Sequence, residues 1–355
     1  MTQKMKKTTL LFALCLAAMS ANAQTKPNES AFQVSFFSPL GTNGMQSART
    51  TNSYSLNLLG GISAANKVLE LGSLFNINHQ YTSGFQAAGI FNYSGKLKET
   101  FQFAGVTNVA KSGEAACQAA GVANISEDVE GLQAAGVANV SEEVDGLQAA
   151  GVLNVAESVD GVQAAGVLNI AEDVEGVQLG LINIAESYKS GTPIGLISIV
   201  KEGGKSEFEV SLSEAIHTAV SYKIGTDHFY TIFSGGINYI GKTVNYAAGA
   251  GFGTHLDWQK GWGNQIEALC YTLSEEGKFR KGLNLLTQLR LTASKEIAPH
   301  FKVFAGPVIN LTISDYVNPD TKKVGSSLDP YSLWENEGGK TTLRGWVGIA
   351  AGVRF

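Results

Sequence analysis

A tandem repeat across residues 68–200 limits what this chain can become more than any other feature. Three consecutive copies read GLQAAGVANVSEEVD (131–145), GLQAAGVLNVAESVD (146–160) and GVQAAGVLNIAEDVE (161–175). Gln118, Gln133, Gln148, Gln163 and Gln178 recur every 15 residues, and Gln86, Gln102 and Gln118 every 16. A short fixed period is an architecture signal, because each copy is one unit of a stacked or strung-together structure. It specifies a fold before it specifies any chemistry.

Two geometries fit the repeat. In residues 174–185, Glu175, Val177, Leu179, Leu181 and Asn183 alternate with Val174, Gly176, Gln178, Gly180, Ile182 and Ile184. That pattern predicts a strand of about ten residues, apolar on one face and carrying Gly and Gln on the other, with a turn around 186–190. An outer-membrane strand needs about 9–11 residues to cross at its usual tilt, so each repeat would supply one wall strand and one turn. The alternative is a parallel β-solenoid with one repeat per rung. Gln133, Gln148 and Gln163 then stack as one ladder, and Asn139, Asn154 and Asn169 as another. In a solenoid the pairs Glu127-Asp128, Glu142-Glu143 and Glu172-Asp173 also form one repelling ridge, whereas a meander sends them to alternate ends. That repulsion favours the meander as first expectation.

Beyond Ser206 the repeats stop and strict alternation takes over. Phe208, Val210 and Leu212 oppose Glu207, Glu209 and Ser211. Ile216, Thr218, Val220 and Tyr222 oppose His217, Ser221 and Lys223. The same two-residue period marks 244–253, 283–291 and 301–313, with Arg290 and Asn310 on polar faces. Apolar-out, polar-or-Gly-in segments of this kind are the mark of a membrane barrel. Charged residues make up only 16% of the chain, which suits walls facing lipid, and a net charge of −5 offers nothing to nucleic acid. The polar stretches 257–264, 274–281 and 315–340 read as loops.

The two ends of the chain fit export and membrane assembly. Lys4, Lys6 and Lys7 precede an apolar run over 10–19, and Ala21-Asn22-Ala23 supplies small residues for cleavage after Ala23. Leu14 before Cys15 is too large for a lipid-anchor site. At the other end Val347, Ile349, Ala351, Val353 and Phe355 share a face, and the chain stops on the aromatic. This resembles the C-terminal strand of bacterial outer-membrane barrels, which the assembly machinery reads. A closed barrel has no edges, so the first strand, near Phe32, is expected to pair with this last one.

The unit Gly-x-Gln-x-x-Gly-x-x-Asn, seen in Gly161, Gln163, Gly166 and Asn169, resembles the surface-repeat family of Gram-negative outer-membrane proteins. GVQLGLINIAE (176–186), FQVSFFSPLGTN and SYSLNLLGGISA also resemble that family, which covers about 32–200. The chain departs by carrying AAG for LG in several copies, which predicts a bulge, and by continuing some 150 residues past the repeats. What the resemblance implies is surface or outer-membrane placement, with no activity.

Several motifs look chemical. Gly236-Ile-Asn-Tyr-Ile-Gly241-Lys242-Thr243 spells a phosphate-binding loop, but the following segment alternates like a strand, so no helix N-terminus would face a phosphate. A hairpin turn is the better reading. The histidines His79, His217, His228, His255 and His300 lack metal spacing. His217 and His255 are expected on inward faces, and no Gly-x-Ser-x-Gly elbow accompanies them. The acidic turns lack the ligand spacing of calcium loops. Cys117 stands where sister copies carry Leu132, Leu147, Val162 and Val177, so it reads as a small apolar group, although an exported chain could pair it with Cys270. Tyr222, Tyr239, Tyr246, Trp258, Trp262 and Tyr271 near strand ends read as an interfacial girdle.

The expectation is therefore an all-β, antiparallel transmembrane β-barrel of the outer-membrane type, with tandem 15–16-residue strand-turn repeats in its wall. Its parts are a signal peptide (1–23), N-terminal strands (24–67), repeats (68–200) and barrel strands (206–355). The alternative joins a β-solenoid to a smaller barrel built from the N-terminal strands and the segment after 206. The expected role is a structural or channel-like surface protein. It needs no catalytic, cofactor or metal residue, and its partners are outer-membrane lipid and the barrel-assembly machinery, with the ligand left open. A surface binding or adhesion protein is the second role and a barrel hydrolase a distant third.

Overall fold

The computed structural model describes residues 28–240, 243–257, 261–318, 322, 324–328 and 330–355. The expected signal peptide and Cys15 lie outside them. The chain divides into two compact units, one ending at Leu181 and one spanning Ile182–Phe355. No described helix is long and apolar enough to cross a membrane.

The first unit contains β1 (Asn28–Phe37), β2 (Leu40–Gly41), a 3-10 turn (Gly44–Arg49), β3 (Thr50–Gly72), β4 (Phe75–Ala88), β5 (Phe91–Ala104), β6 (Thr107–Ala120) and β7 (Ala123–Ala135). It continues with β8 (Ala138–Val140), β9 (Glu143–Ala150), β10 (Leu153–Val155), β11 (Ser158–Ala165) and β12 (Leu168–Leu179). From β3 onward successive repeats pair in parallel, like residue on like residue. Gln133 pairs with Gln148 and Gln148 with Gln163, while Asn139 pairs with Asn154 and Asn154 with Asn169. The repeats are rungs of a β-solenoid, and the meander expectation is overturned.

The reason lies in the interior. Asn154 Nδ2 donates to Asn169 Oδ1 one rung on (3.0 Å) and across its own coil to Ala164 O (2.9 Å). Gln148 Nε2 donates backward to Gln133 Oε1 (2.9 Å) and to Ser141 Oγ (3.1 Å). These side chains are fully buried. A buried amide is costly unless every donor and acceptor is matched, and a stack of identical amides at one strand spacing of about 4.8 Å matches them automatically. Each ladder bond outweighs part of the carboxylate repulsion at the coil edge, which remains in water where Coulomb terms are weak.

The glycines of the repeat have a separate reason. Gly146, Gly161 and Gly176 take φ of 129–135°, and a Cβ on Gly161 would lie 2.2 Å from Gly146 O. Only a residue without Cβ lets neighbouring rungs approach there. The AAG copies stay in register with one another through Ala134, Ala149 and Ala164, so the residue they carry beyond the LG form makes no bulge between them. The extra residue of the 16-residue rungs is instead accommodated near Glu99 and Ala115, both in left-handed conformation (φ 45° and 46°).

The N-terminal strands belong to this unit. β1 pairs in parallel with β3, Phe32 opposite Tyr54, so the expected pairing of the first strand with the last does not form.

The second unit opens with two strands of repeat type, β13 (Ile182–Ile194) and β14 (Ile197–Glu202), paired in parallel. It continues with β15 (Lys205–Ser213), β16 (Thr218–Gly225), β17 (Tyr230–Ile240), β18 (Thr243–Asp257), β19 (Trp262–Leu273), β20 (Asn284–Ala298), β21 (Phe301–Ser314), β22 (Trp334–Gly338) and β23 (Thr341–Arg354). Among the described residues eight of these strands form an antiparallel meander that closes on itself, β23 pairing with both β21 and β15. Phe208 and Phe355 exchange backbone hydrogen bonds of 2.8 and 2.9 Å at the seam. β22 pairs with the stretch of β23 beyond the reach of β15. The closed sheet needs only residues from 205 onward, so the N-terminal strands are not part of a barrel in either form expected.

Side chains in the barrel face as their alternation predicts. Phe208, Leu212, Val220, Leu289, Ile309, Val347 and Ile349 are outward and 40–67% exposed. Glu209, Ser221, Lys223, Gln288, Arg290, Asn310 and Arg354 are inward and buried. The connections are also sorted. One end carries only short connections in sequence (226–229, 258–261 and 299–300), while the other carries the longer 274–283 and 315–333 beside the short 214–217 and 241–242.

Candidate functional site

The barrel interior holds a cluster of buried charges. Glu209 Oε2 lies 2.5 Å from Lys223 Nζ and 2.7 Å from Arg354 Nε, and its Oε1 lies 2.6 Å from Arg290 Nη2. Glu267 pairs with Lys223 and accepts a hydrogen bond from Tyr230 Oη at 2.8 Å. The Arg354 guanidinium stacks on Phe304, 3.8 Å from the ring centroid. Two carboxylates thus face three cations with essentially no solvent exposure. Buried charges persist only when paired this closely, so the cluster ties β15, β16, β19, β20 and β23 together across the lumen. Side chains fill the middle of an eight-stranded barrel in this way and leave no wide aqueous path. Sequence reading placed Glu209, Lys223 and Arg290 on polar faces but not in one cluster, and it missed Glu267. The available signal was charge at mid-strand on a face otherwise made of Gly, Ser and Asn.

The solenoid exterior has two contrasting edges. At one corner each rung presents a single apolar residue: Leu74, Ile90, Val106, Val122, Val137, Val152 and so on to Leu181, each 40–49% exposed. At the opposite corner stand Glu127, Glu142, Glu157 and Glu172, flanked by residues such as Asp128, Glu143, Asp145 and Asp160. No Lys or Arg occurs between Lys111 and Lys189 to balance them. Burial and the neighbouring Glu157, Glu127, Asp128 and Glu143 raise the pKa of Glu142. Beside the apolar corner runs a trough of about 650 Å³ floored by alanines and glycines such as Ala104, Ala120 and Ala135.

The residues singled out from sequence do not converge. His217 lies in the β15–β16 turn and accepts from Tyr239 N (2.9 Å) while stacking on that exposed ring, so it is not inward as expected. His255 is inward and buried, bonded to Gln265 at 2.6 Å, but near the opposite end of the barrel. The two histidines therefore form no common site. The phosphate-loop look-alike falls across the β17–β18 hairpin, and Gly241-Lys242 lies outside the described residues. Cys117 and Cys270 are free. Among the described residues no group of three or more His, Cys, Asp or Glu could hold a metal. Tyr239, Tyr246 and Trp262 are exposed on the wall. Tyr271 is buried instead, donating to Ser234 Oγ at 3.0 Å, and Trp258 is outside the described residues.

No protein-family model matches the chain, and no curated protein matches it. Among solved structures, Neisserial surface protein A matches at 15% identity, covering 42% of this chain and 91% of that one, with a TM-score of 0.22.

Proposed function

We propose that this is an outer-membrane protein of structural role, anchored by the eight-stranded barrel and displaying a repeat solenoid, with no catalytic activity. The observation that carries the reading is inverted polarity in a closed sheet, with Leu, Val, Ile and Phe outside and the Glu–Lys–Arg cluster inside. Water punishes that arrangement and lipid rewards it. The exposed aromatics Phe208, Phe252, Trp262 and Phe355 toward one rim, and Tyr239, Tyr246 and Trp334 toward the other, suit the two interfaces of a bilayer. An end with short connections only, opposite an end that carries both long ones, follows the outer-membrane pattern, which would put the short-connection end and the junction at Glu202–Lys205 on the periplasmic side. The C-terminal strand ending in Phe355 suits recognition by the assembly machinery, and the N-terminal signal suits export. The repeat motif supports membership of the surface-repeat family.

Of the structural and channel-like roles, the ion cluster favours the structural one. In planar bilayers the purified chain is expected to give no steady conductance, while its gel mobility shifts on boiling as a closed barrel's does. A large, steady single-channel conductance would sink the structural role, and a band unmoved by boiling would sink the barrel. The solenoid form of the repeats favours a binding role for them over a role in the wall.

A further inference from the structure

We propose that the apolar corner of the solenoid, from Leu74 to Leu181, lies in the hydrocarbon of a phospholipid leaflet. The proposal rests on the outer-membrane reading and extends it, since the barrel needs no contribution from the repeats to span a bilayer.

The first support is how completely the chemistry is sorted. Every rung from 60 to 181 places Leu, Ile or Val at this corner, and the carboxylates of residues 127–175 collect at the opposite one. A surface facing water has no need for eight consecutive aliphatic residues. The edge is about 34 Å long, seven steps of about 4.8 Å, whereas one leaflet's hydrocarbon is about 15 Å deep. With the acidic edge held in water, the apolar one lies along the leaflet.

The second support is the backbone. A corner in hydrocarbon can leave no peptide N–H unpaired, which excludes ordinary turns. Here the N–H groups of Val122, Val137 and Val152 donate to the carbonyls of Val106, Val122 and Val137 at 3.0–3.1 Å. The next residues, Ala123, Ala138 and Leu153, donate to the same three carbonyls at 2.9–3.0 Å. The corner is closed rung to rung and asks nothing of water.

The third support comes from the second unit. Its own repeat corner, with Ile194 and Leu196 40–42% exposed, meets the outside of the barrel. Thr231 Oγ1 donates to Gly195 O at 2.9 Å, and the Thr192 and Thr226 hydroxyls lie 2.9 Å apart. Thr231 pairs with Phe252 and so shares the outward face. A corner of this chemistry therefore adjoins the wall assigned to lipid.

The test uses the full chain in phosphatidylethanolamine–phosphatidylglycerol vesicles, with Cys117→Ala and Cys270→Ala as background. An environment-sensitive dye is placed by Val137→Cys or Val152→Cys on the apolar corner, Asp145→Cys on the acidic one, and Val220→Cys on the barrel wall. Each variant is checked for the heat-modifiable band. We expect doxyl-phospholipid to quench the Val137, Val152 and Val220 dyes at least threefold more than aqueous iodide does, with the order reversed at Asp145. Lipid quenching at Val220 with iodide quenching at Val137 and Val152 would overturn the corner contact and leave the barrel reading intact. Iodide quenching at all sites would overturn both. Corner dyes shielded from both quenchers would mean that a second copy covers the edge, which also overturns the proposal.

Discussion

Glu70 shows how far a single side chain can be set by its place in a ladder. It is fully buried in the column that Gln86, Gln102 and Gln118 continue, and every glutamine there donates toward it. The column must end on an acceptor, and a carboxylate supplies one. Gln86 Nε2 (2.8 Å) and Asn78 Nδ2 (2.6 Å) donate to its Oε2, and Asn57 Nδ2 (3.2 Å) donates to its Oε1. Burial still pushes its pKa from the ordinary 4.5 up to about 7, against the pull of those hydrogen bonds. A raised carboxyl pKa means the folded state holds the proton more tightly than the unfolded one. The stabilisation is therefore complete below about 4.5 and lost as pH rises through about 7. At about 1.4 kcal/mol per pH unit, that window is worth roughly 3 kcal/mol. Hydrogen exchange in the β4 and β5 rungs should report weaker protection at pH 8 than at pH 5. Glu70→Gln should flatten that dependence, because its amide N–H can find Asn78 Oδ1, a buried acceptor with no partner in the native chain. An unchanged pH profile in Glu70→Gln would show that another group is responsible.

At the scale of the element, the rung is the unit of exchange. Deleting residues 138–152 joins Val137 to Leu153 and brings Asn124 beneath Asn154 and Gln133 beneath Gln163, so both ladders and the glycine column resume in register. That deletion should leave the heat-modifiable barrel and the solenoid's circular dichroism per residue unchanged. Removing only 138–145 should collapse protection across β7–β12, because the Asn and Gln columns no longer meet. If the short deletion proved as well tolerated as the whole rung, the amide ladders would not be what holds the repeats. The same logic shows what could be read from sequence. Barrel strands were legible because their two-residue period runs unbroken, as in Val347, Ile349 and Phe355. The repeats were misread because alternation was carried straight across the corner at Gly180-Leu181, which put Gln178 and Asn183 on opposite faces when both point inward. The bonding of like amides along a stack counted for the solenoid, but the carboxylate ridge was given more weight than those buried bonds deserve. Glu70 could have been found, since it stands 16 residues before Gln86 in the glutamine spacing, whereas the meeting of Glu209 with Arg354 depends on closure of the sheet.

In both units polar side chains are taken inside and bonded to one another there, in the barrel beside a buried apolar cluster that includes Ile232, Leu269, Leu286 and Trp346. In the barrel the match is ionic, and in the solenoid it is amide to amide. The two amide columns run in opposite senses, since Asn side chains donate toward the C-terminus and Gln side chains toward the N-terminus. An end of the stack consequently offers both an unfilled donor and an unfilled acceptor. At the N-terminal end Glu70 replaces the unfilled donor with a second acceptor, and a single amide meets both, because Asn57 Nδ2 donates to Asn76 Oδ1 (3.0 Å) and to Glu70 Oε1 (3.2 Å). Trimming the chain through Asn57 would strip that plug, along with β1, and leave a template on which another molecule's rungs could seat end to end. Such a truncation should polymerise into thioflavin-binding fibrils that intact protein can neither seed nor join; if it stayed monomeric, the first strands would have to be credited with some other task.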